Sequence, residues 1–184
     1  FFFDMRVLHC IALALAIHTA FAVYGFDISI FSGSVPESDY SCMKRDGNEF
    51  QIVEAWNGGY TLNRHFAQNI KNSQAAGIKY NDIYVFACNQ CSGNGSPLVI
   101  AGAVRAALPS GFSGMVWIDV EPCRGCWGSA SENLQYVSNL VSSFKKVGMK
   151  PAIYTSEGSW EAVTGSRSAT TDEIRSVQMW YAHY

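Results

Sequence analysis

The 184-residue chain lacks any run of charge of one sign. Its 13 lysines and arginines and 15 aspartates and glutamates are interspersed, for a net charge of −2. A basic stripe is the usual footprint of a nucleic-acid or anionic-membrane partner, so neither is expected. The glycine fingerprint of a dinucleotide site and the P-loop are also missing, and no cofactor or resident metal is expected. There is no internal repeat and no linker-like segment, which argues for one domain. Long apolar runs are scarce. The one after Arg6, Val7 to Ile17, is too short for a bilayer span and is interrupted by His9, with His18 just beyond. Ala20-Phe21-Ala22 then supplies the small-x-small pattern of a signal-peptidase site. We therefore expect residues 1–22 to be upstream residues plus a secretory signal starting at Met5, the alternative being a membrane anchor. The mature domain is expected over 23–184, monomeric, free of the membrane, and secreted or lysosomal/phagosomal.

Cysteine is present but sparse. Cys10 falls in the signal, leaving Cys42, Cys88, Cys91, Cys123 and Cys126. The last four form two C-x-x-C pairs. Such pairs build either a zinc site or disulfides. In a secreted chain thiols oxidise, so the expectation is a disulfide within each pair, closing its own small loop. Cys42 is left over.

The mature chain alternates short apolar runs with helix-like segments. Strands are expected at 24–28, 50–55, 82–87, 115–120, 152–155 and 176–182. Helices are expected at 63–76, 97–108, 131–147 and 156–163, the third capped by Ser131 and stopped at Gly148. The run Ile83-Tyr84-Val85-Phe86-Ala87 reads as a strand buried on both faces. Alternation of this kind means a parallel sheet, open or closed. Each strand ends in polar or reactive groups: Asp27, Glu54, Cys88, Asp119 with Glu121, Tyr154, and Tyr181 with His183. In α/β barrels the active site lies at the C-terminal ends of the strands.

The segment Met115-Val116-Trp117-Ile118-Asp119-Val120-Glu121 is the most telling. Two carboxylates one residue apart on a strand share a face, with Cα atoms roughly 6.6 Å apart. By itself such a pair is more often the mark of two solvated acids at a strand end. A pair this close also suits glycoside hydrolysis, in which one carboxyl protonates the leaving oxygen and the other steadies the cation. To act as the acid, Glu121 must hold a proton near working pH, and burial with the Asp119 and Asp27 charges is expected to raise its pKa.

These residues carry a resemblance. Tyr24-Gly25-Phe26-Asp27-Ile28-Ser29, Val116 to Glu121, Ile153-Tyr154-Thr155 and Met179-Trp180-Tyr181-Ala182-His183-Tyr184 occur in the order and spacing of the glycoside hydrolase family 25 lysozymes. Val85-Phe86-Ala87-Cys88-Asn89-Gln90-Cys91 resembles their secreted eukaryotic branch, found in protists and some invertebrates. The resemblance runs from about Val23 to the end. It implies a flattened, modified β/α (TIM-like) barrel that cleaves bacterial cell-wall peptidoglycan between N-acetylmuramic acid and N-acetylglucosamine. It implies Glu121 as acid/base, Asp119 as support for the cation or the substrate's N-acetyl group, and Asp27 as a further carboxylate. Tyr154, Tyr181, Trp127, Glu54 and His183 are candidate groove residues. Family members continue beyond the equivalent of Tyr184, so the expected barrel is incomplete at its C-terminal side. Two other readings stand beside this one: a non-catalytic carbohydrate-binding relative, and a chitinase-like glycosidase. The latter uses a longer D-x-x-D-x-D-x-E run, where this chain has Ser113 and Met115.

Overall fold

The computed structural model describes residues 23–58, 61–93 and 95–183. The signal-peptide reading lies outside the described residues. The elements run β1 (Tyr24–Ile28), a single 3-10 turn (Ile30–Ser32), α1 (Glu37–Arg45), β2 (Asn48–Asn57), β3 (Thr61–Leu62), α2 (Phe66–Ala75), β4 (Tyr80–Phe86) and α3 (Pro97–Ala107). They continue as β5 (Met115–Asp119), α4 (Ala130–Lys146), β6 (Lys150–Ser156), α5 (Glu157–Thr164), α6 (Asp172–Arg175) and β7 (Gln178–Ala182).

The main strands form one parallel sheet in the order β1-β2-β4-β5-β6-β7, and the short β3 pairs antiparallel with β2. Strand order follows chain order, each parallel pair being joined by a crossover. The sheet curls into a half-barrel, open among the described residues between β1 and β7. Helices cover its outer face. There Val53, Ile83, Val85, Val116, Ile118 and Ile153 pack against Phe66, Ile70, Val104, Leu140 and Phe144, all at most 1% exposed. The side-chain period of two sends the alternate residues to the concave face.

That alternation corrects the reading of β4 as buried on both faces. Asn81, Ile83 and Val85 are buried beneath the helices, while Asp82, Tyr84 and Phe86 face inward and are only partly covered. The run is apolar throughout because its inner side carries aromatics rather than solvated polar groups. The cap of α4 also differs from expectation. Ser129, not Ser131, caps it through a capping box: the Ser129 N–H and hydroxyl donate to Glu132 Oε2 at 3.0 and 2.7 Å. Helix α1 was not foreseen, because its sequence is polar and only Tyr40 among its residues is buried.

Gly114 admits the chain into β5. A Cβ there would overlap the backbone carbonyl of Asn81, which has no room to retreat. Gly114→Ala is therefore expected to cost about 1–3 kcal/mol. Chemical denaturation checks this, and a midpoint equal to wild type would contradict it.

Candidate active site

The inward-facing residues line up across the strands by register. Glu54 on β2 pairs with Tyr84 on β4, which pairs with Trp117 on β5. One step further along, Phe86 pairs with Asp119, Asp119 with Tyr154 on β6, and Tyr154 with Trp180 on β7. On the other flank Asp27 of β1 pairs with Ile52 of β2. All of them line a single cleft of about 600 Å³, together with Ser29, Phe31, Asn57 and Glu121. It sits at the C-terminal edge of the sheet, where every strand delivers its last side chains. The irregularity in β2 between Glu54 and Trp56 ends the regular ladder beside the cleft.

Four carboxylates converge here. Asp119 is 9% exposed and Glu54 3%, while Glu121 is half-buried and Asp27 stands in the open at the cleft rim. The Ile30 N–H donates to Glu54 Oε2 at 2.6 Å, which fixes the 3-10 turn after β1 against β2. Burial raises the Glu54 pKa against the lowering effect of hydrogen bonds from Ile30, Asn57 and Tyr84. Asp119 is pushed furthest. Burial first, then the charges of Glu121, Glu54 and Asp27, lift its pKa to about 8. Its Oδ1 is buried and has no hydrogen-bond partner within the protein. An uncompensated buried carboxylate oxygen is costly when charged, so the acid takes up a proton instead. Burial first, and then the charges of the same carboxylates, push the Tyr84 phenol up and keep it neutral. The expectation was that burial and neighbouring charges raise Glu121; in the structure the group they raise furthest, and which retains the proton, is Asp119, the more buried member of the D-x-E pair.

Aromatic rings wall the cleft on its β5–β7 side. Trp180 meets Trp117 edge to face at 5.6 Å and 75°, and Tyr154 at 5.3 Å and 84°. Trp117 is held in turn by Asp82, whose Oδ2 accepts its indole N–H at 2.9 Å while Oδ1 accepts the Met115 N–H at 2.8 Å. Flat apolar faces of this kind suit the faces of sugar rings.

Three expected groove residues are elsewhere. Tyr181 pairs with Thr155 on the other side of the β6–β7 ladder, so it points away from the cleft, and its hydroxyl donates to Glu157 Oε2 at 3.1 Å. His183 shares that parity and stacks near Tyr181 at 6.5 Å, exposed. Trp127 packs edge-on against Tyr136 of α4 and donates its indole N–H to the Glu121 carbonyl at 2.7 Å. It braces the backbone that carries Glu121 and does not line the cleft. Trp180, Trp117, Tyr84 and Phe86 do line it and were missed. Asp27, Asp119, Glu121, Glu54 and Tyr154 are brought together as expected. The cysteines pair as Cys88–Cys91 and Cys123–Cys126, and Cys42 is free and exposed.

Half-barrel, carboxylates at the strand ends and aromatic wall together define the class: a parallel α/β half-barrel with an acidic, aromatic-walled cleft at the C-terminal edge of its sheet. A family model described as "Lysozyme-like protein 1" matches residues 18–184. The chain is 36% identical over 180 residues to "Probable GH family 25 lysozyme 3" of Dictyostelium discoideum, covering 97% of this chain and 36% of that one. It is 37% identical over 174 residues to "Counting factor 45-1" of the same organism, covering 94% of this chain and 56% of that one. The chain belongs to the lysozyme-like family of glycoside hydrolase family 25. Its backbone superposes on the muramidase from Acremonium alcalophilum with a TM-score of 0.68 at 21% identity, over 89% of this chain and 78% of the other, a likeness of fold. The chain spans about a third to just over half the length of the two curated relatives.

Proposed function

We propose that the cleft is the active site of a lysozyme that hydrolyses the β-1,4 bond between N-acetylmuramic acid and N-acetylglucosamine in bacterial peptidoglycan. One observation carries the reading. Asp27, Glu54, Asp119 and Glu121 share a cleft whose other wall is the Trp117–Trp180–Tyr154 aromatic cluster. Carboxylates so grouped cannot all be ionised at once in a low-dielectric site, so the set keeps a proton at neutral pH. That proton is what cleavage of a glycosidic bond requires. That proton rests on Asp119 in the free site; it passes to Glu121, half-buried and beyond the end of β5, which delivers it to the leaving oxygen and leaves Asp119 charged. Asp119, one turn of the pleat deeper, supports the developing cation or the substrate's acetamido group, and Asp27 closes the far side. In a family whose relatives include named lysozymes, a secretory or lysosomal/phagosomal setting and a peptidoglycan partner fit this chemistry, and the two disulfides support it.

The test is product analysis. Gram-positive cell wall is incubated with the protein, the products are reduced with borohydride, and the new reducing ends are identified. Muramitol is the expected product; glucosaminitol would assign a different bond, and binding without new ends would leave a carbohydrate-binding protein. The aromatic wall has its own signature. Trp180→Ala should raise KM by about tenfold, roughly 1.4 kcal/mol of binding, whereas Tyr181→Ala one residue on should leave KM within twofold. Equal effects in steady-state kinetics would refute the strand parity on which the assignment rests.

A further inference from the structure

The two C-x-x-C loops follow β4 and β5 and lie against each other. The Gln90 N–H donates to the Cys126 carbonyl at 2.8 Å, and Cys88 Sγ lies 3.5 Å from the same oxygen. The sulfurs of Cys88, Cys91 and Cys126 are all within 4.8 Å of one another. Sulfurs from two separate disulfides thus form one cluster, and the fourth, Cys123, is tied into it by its bond to Cys126. Cys88 and Cys126 are 0% and 4% exposed, whereas Cys91 and Cys123 are half-buried. Each disulfide therefore offers one outer sulfur to an attacking thiol and keeps one sulfur inside.

We propose that the four cysteines form a redox-gated zinc site, two disulfides when oxidised and a tetrahedral thiolate site for Zn²⁺ when reduced. Zinc–thiolate bonds of about 2.3 Å hold tetrahedral sulfurs roughly 3.8 Å apart. Cys88, Cys91 and Cys126 Sγ already lie within 4.8 Å of one another, and Cys123, released from Cys126 by reduction, is the fourth ligand that turns in to complete the set. The C-x-x-C pairs on two separate loops are the ligand spacing of structural zinc sites. The reductant is a dithiol. Its thiolate attacks Cys91 or Cys123 Sγ, the bond to Cys88 or Cys126 breaks, and the buried sulfur leaves as thiolate. The second thiol of the reductant then resolves the mixed disulfide. Two dithiols are oxidised to two disulfides, and four cysteine thiols result. Zn²⁺ binds them as four thiolates and releases four protons. Because Trp127, next to Cys126, holds the Glu121 carbonyl, either form of the centre anchors the segment that carries Glu121.

The experiment uses the whole chain and no cell-wall assay, so it stands or falls apart from the lysozyme reading. The protein is reduced with a phosphine without oxygen, titrated with Co²⁺, and then with Zn²⁺. One equivalent of cobalt should give thiolate charge-transfer and tetrahedral d–d absorption, displaced by one equivalent of zinc, and the unreduced chain should give neither. Cys91→Ser and Cys126→Ser should lose the signal, and Cys42→Ser should keep it. A measurement without variants serves as the second arm. Zinc should protect Cys88, Cys91, Cys123 and Cys126, but not Cys42, from alkylation in the reduced wild type, read by peptide mass. No tetrahedral cobalt at one equivalent, undiminished binding in Cys126→Ser, or equal alkylation of all five thiols would each overturn the proposal.

Discussion

Glu121→Gln should lower peptidoglycan turnover by about 10²–10⁴-fold while leaving the circular dichroism spectrum and the thermal midpoint within error of wild type. The amide nearly matches the carboxyl in shape but has no proton to deliver to the leaving oxygen, and general-acid assistance contributes on that order. Glu121 is half-buried and its backbone is held through its carbonyl by Trp127, so the side-chain change breaks no structural hydrogen bond described for it. Lys71→Gln is the control: Lys71 stands exposed on the outer side of α2. Glu132→Gln is unsuitable for that purpose, because Glu132 completes the cap of α4. A folded Glu121→Gln protein keeping more than about a tenth of wild-type turnover would move the acid to another carboxyl of the cleft.

Asp119→Asn should do two opposite things, losing activity and gaining stability. The folded-state pKa of Asp119 is raised to about 8. Between the unfolded value of about 4 and that figure the native protein holds a proton that the unfolded chain has released. Its contribution is therefore complete below about pH 4 and is lost progressively as pH rises to about 8. Asparagine does not ionise, so the variant escapes this loss. Its advantage should be nil near pH 4 and largest at pH 8, a few kcal/mol at most, or about 5–10 °C in thermal midpoint. Turnover should fall by about 10²-fold, because a charge that would develop beside the cation is removed. Thermal melts from pH 4 to 9, with turnover alongside, decide the matter. Parallel stability–pH curves for the two proteins would show that Asp119 is not the group that holds the proton.

Much of this architecture was legible in the sequence. Strands and helices with strong periodicity fell within a few residues of their expected bounds, and the D-x-E at the end of β5 pointed to the cleft that its two carboxylates line. What sequence did not fix was parity between strands. Trp180 and Tyr181 are adjacent and both aromatic, and only the pairing of Tyr154 with Trp180 decides which ring faces the cleft. Trp127 was misjudged for a related reason. It follows the loop that turns back toward α4, so its ring finds Tyr136 rather than the cleft. The raised group, too, was a matter of depth. Asp119 and Glu121 look alike in sequence, but Asp119 ends a strand inside the half-barrel and Glu121 lies past it.

The parallel sheet also dictates how the chain must reach its native state. Each neighbouring parallel pair, β1–β2 through β6–β7, joins strands separated by a crossover, and the one antiparallel contact among the described residues, β2–β3, spans only two residue pairs. Among the described residues no long hairpin is available to zip up early, so loop-closure entropy is met in full before each of these ladders returns anything. Folding should therefore be slow for a chain of this length. During that interval the apolar segments of β2 and β5 stand unpaired, and chaperone dependence and aggregation during refolding follow from topology alone.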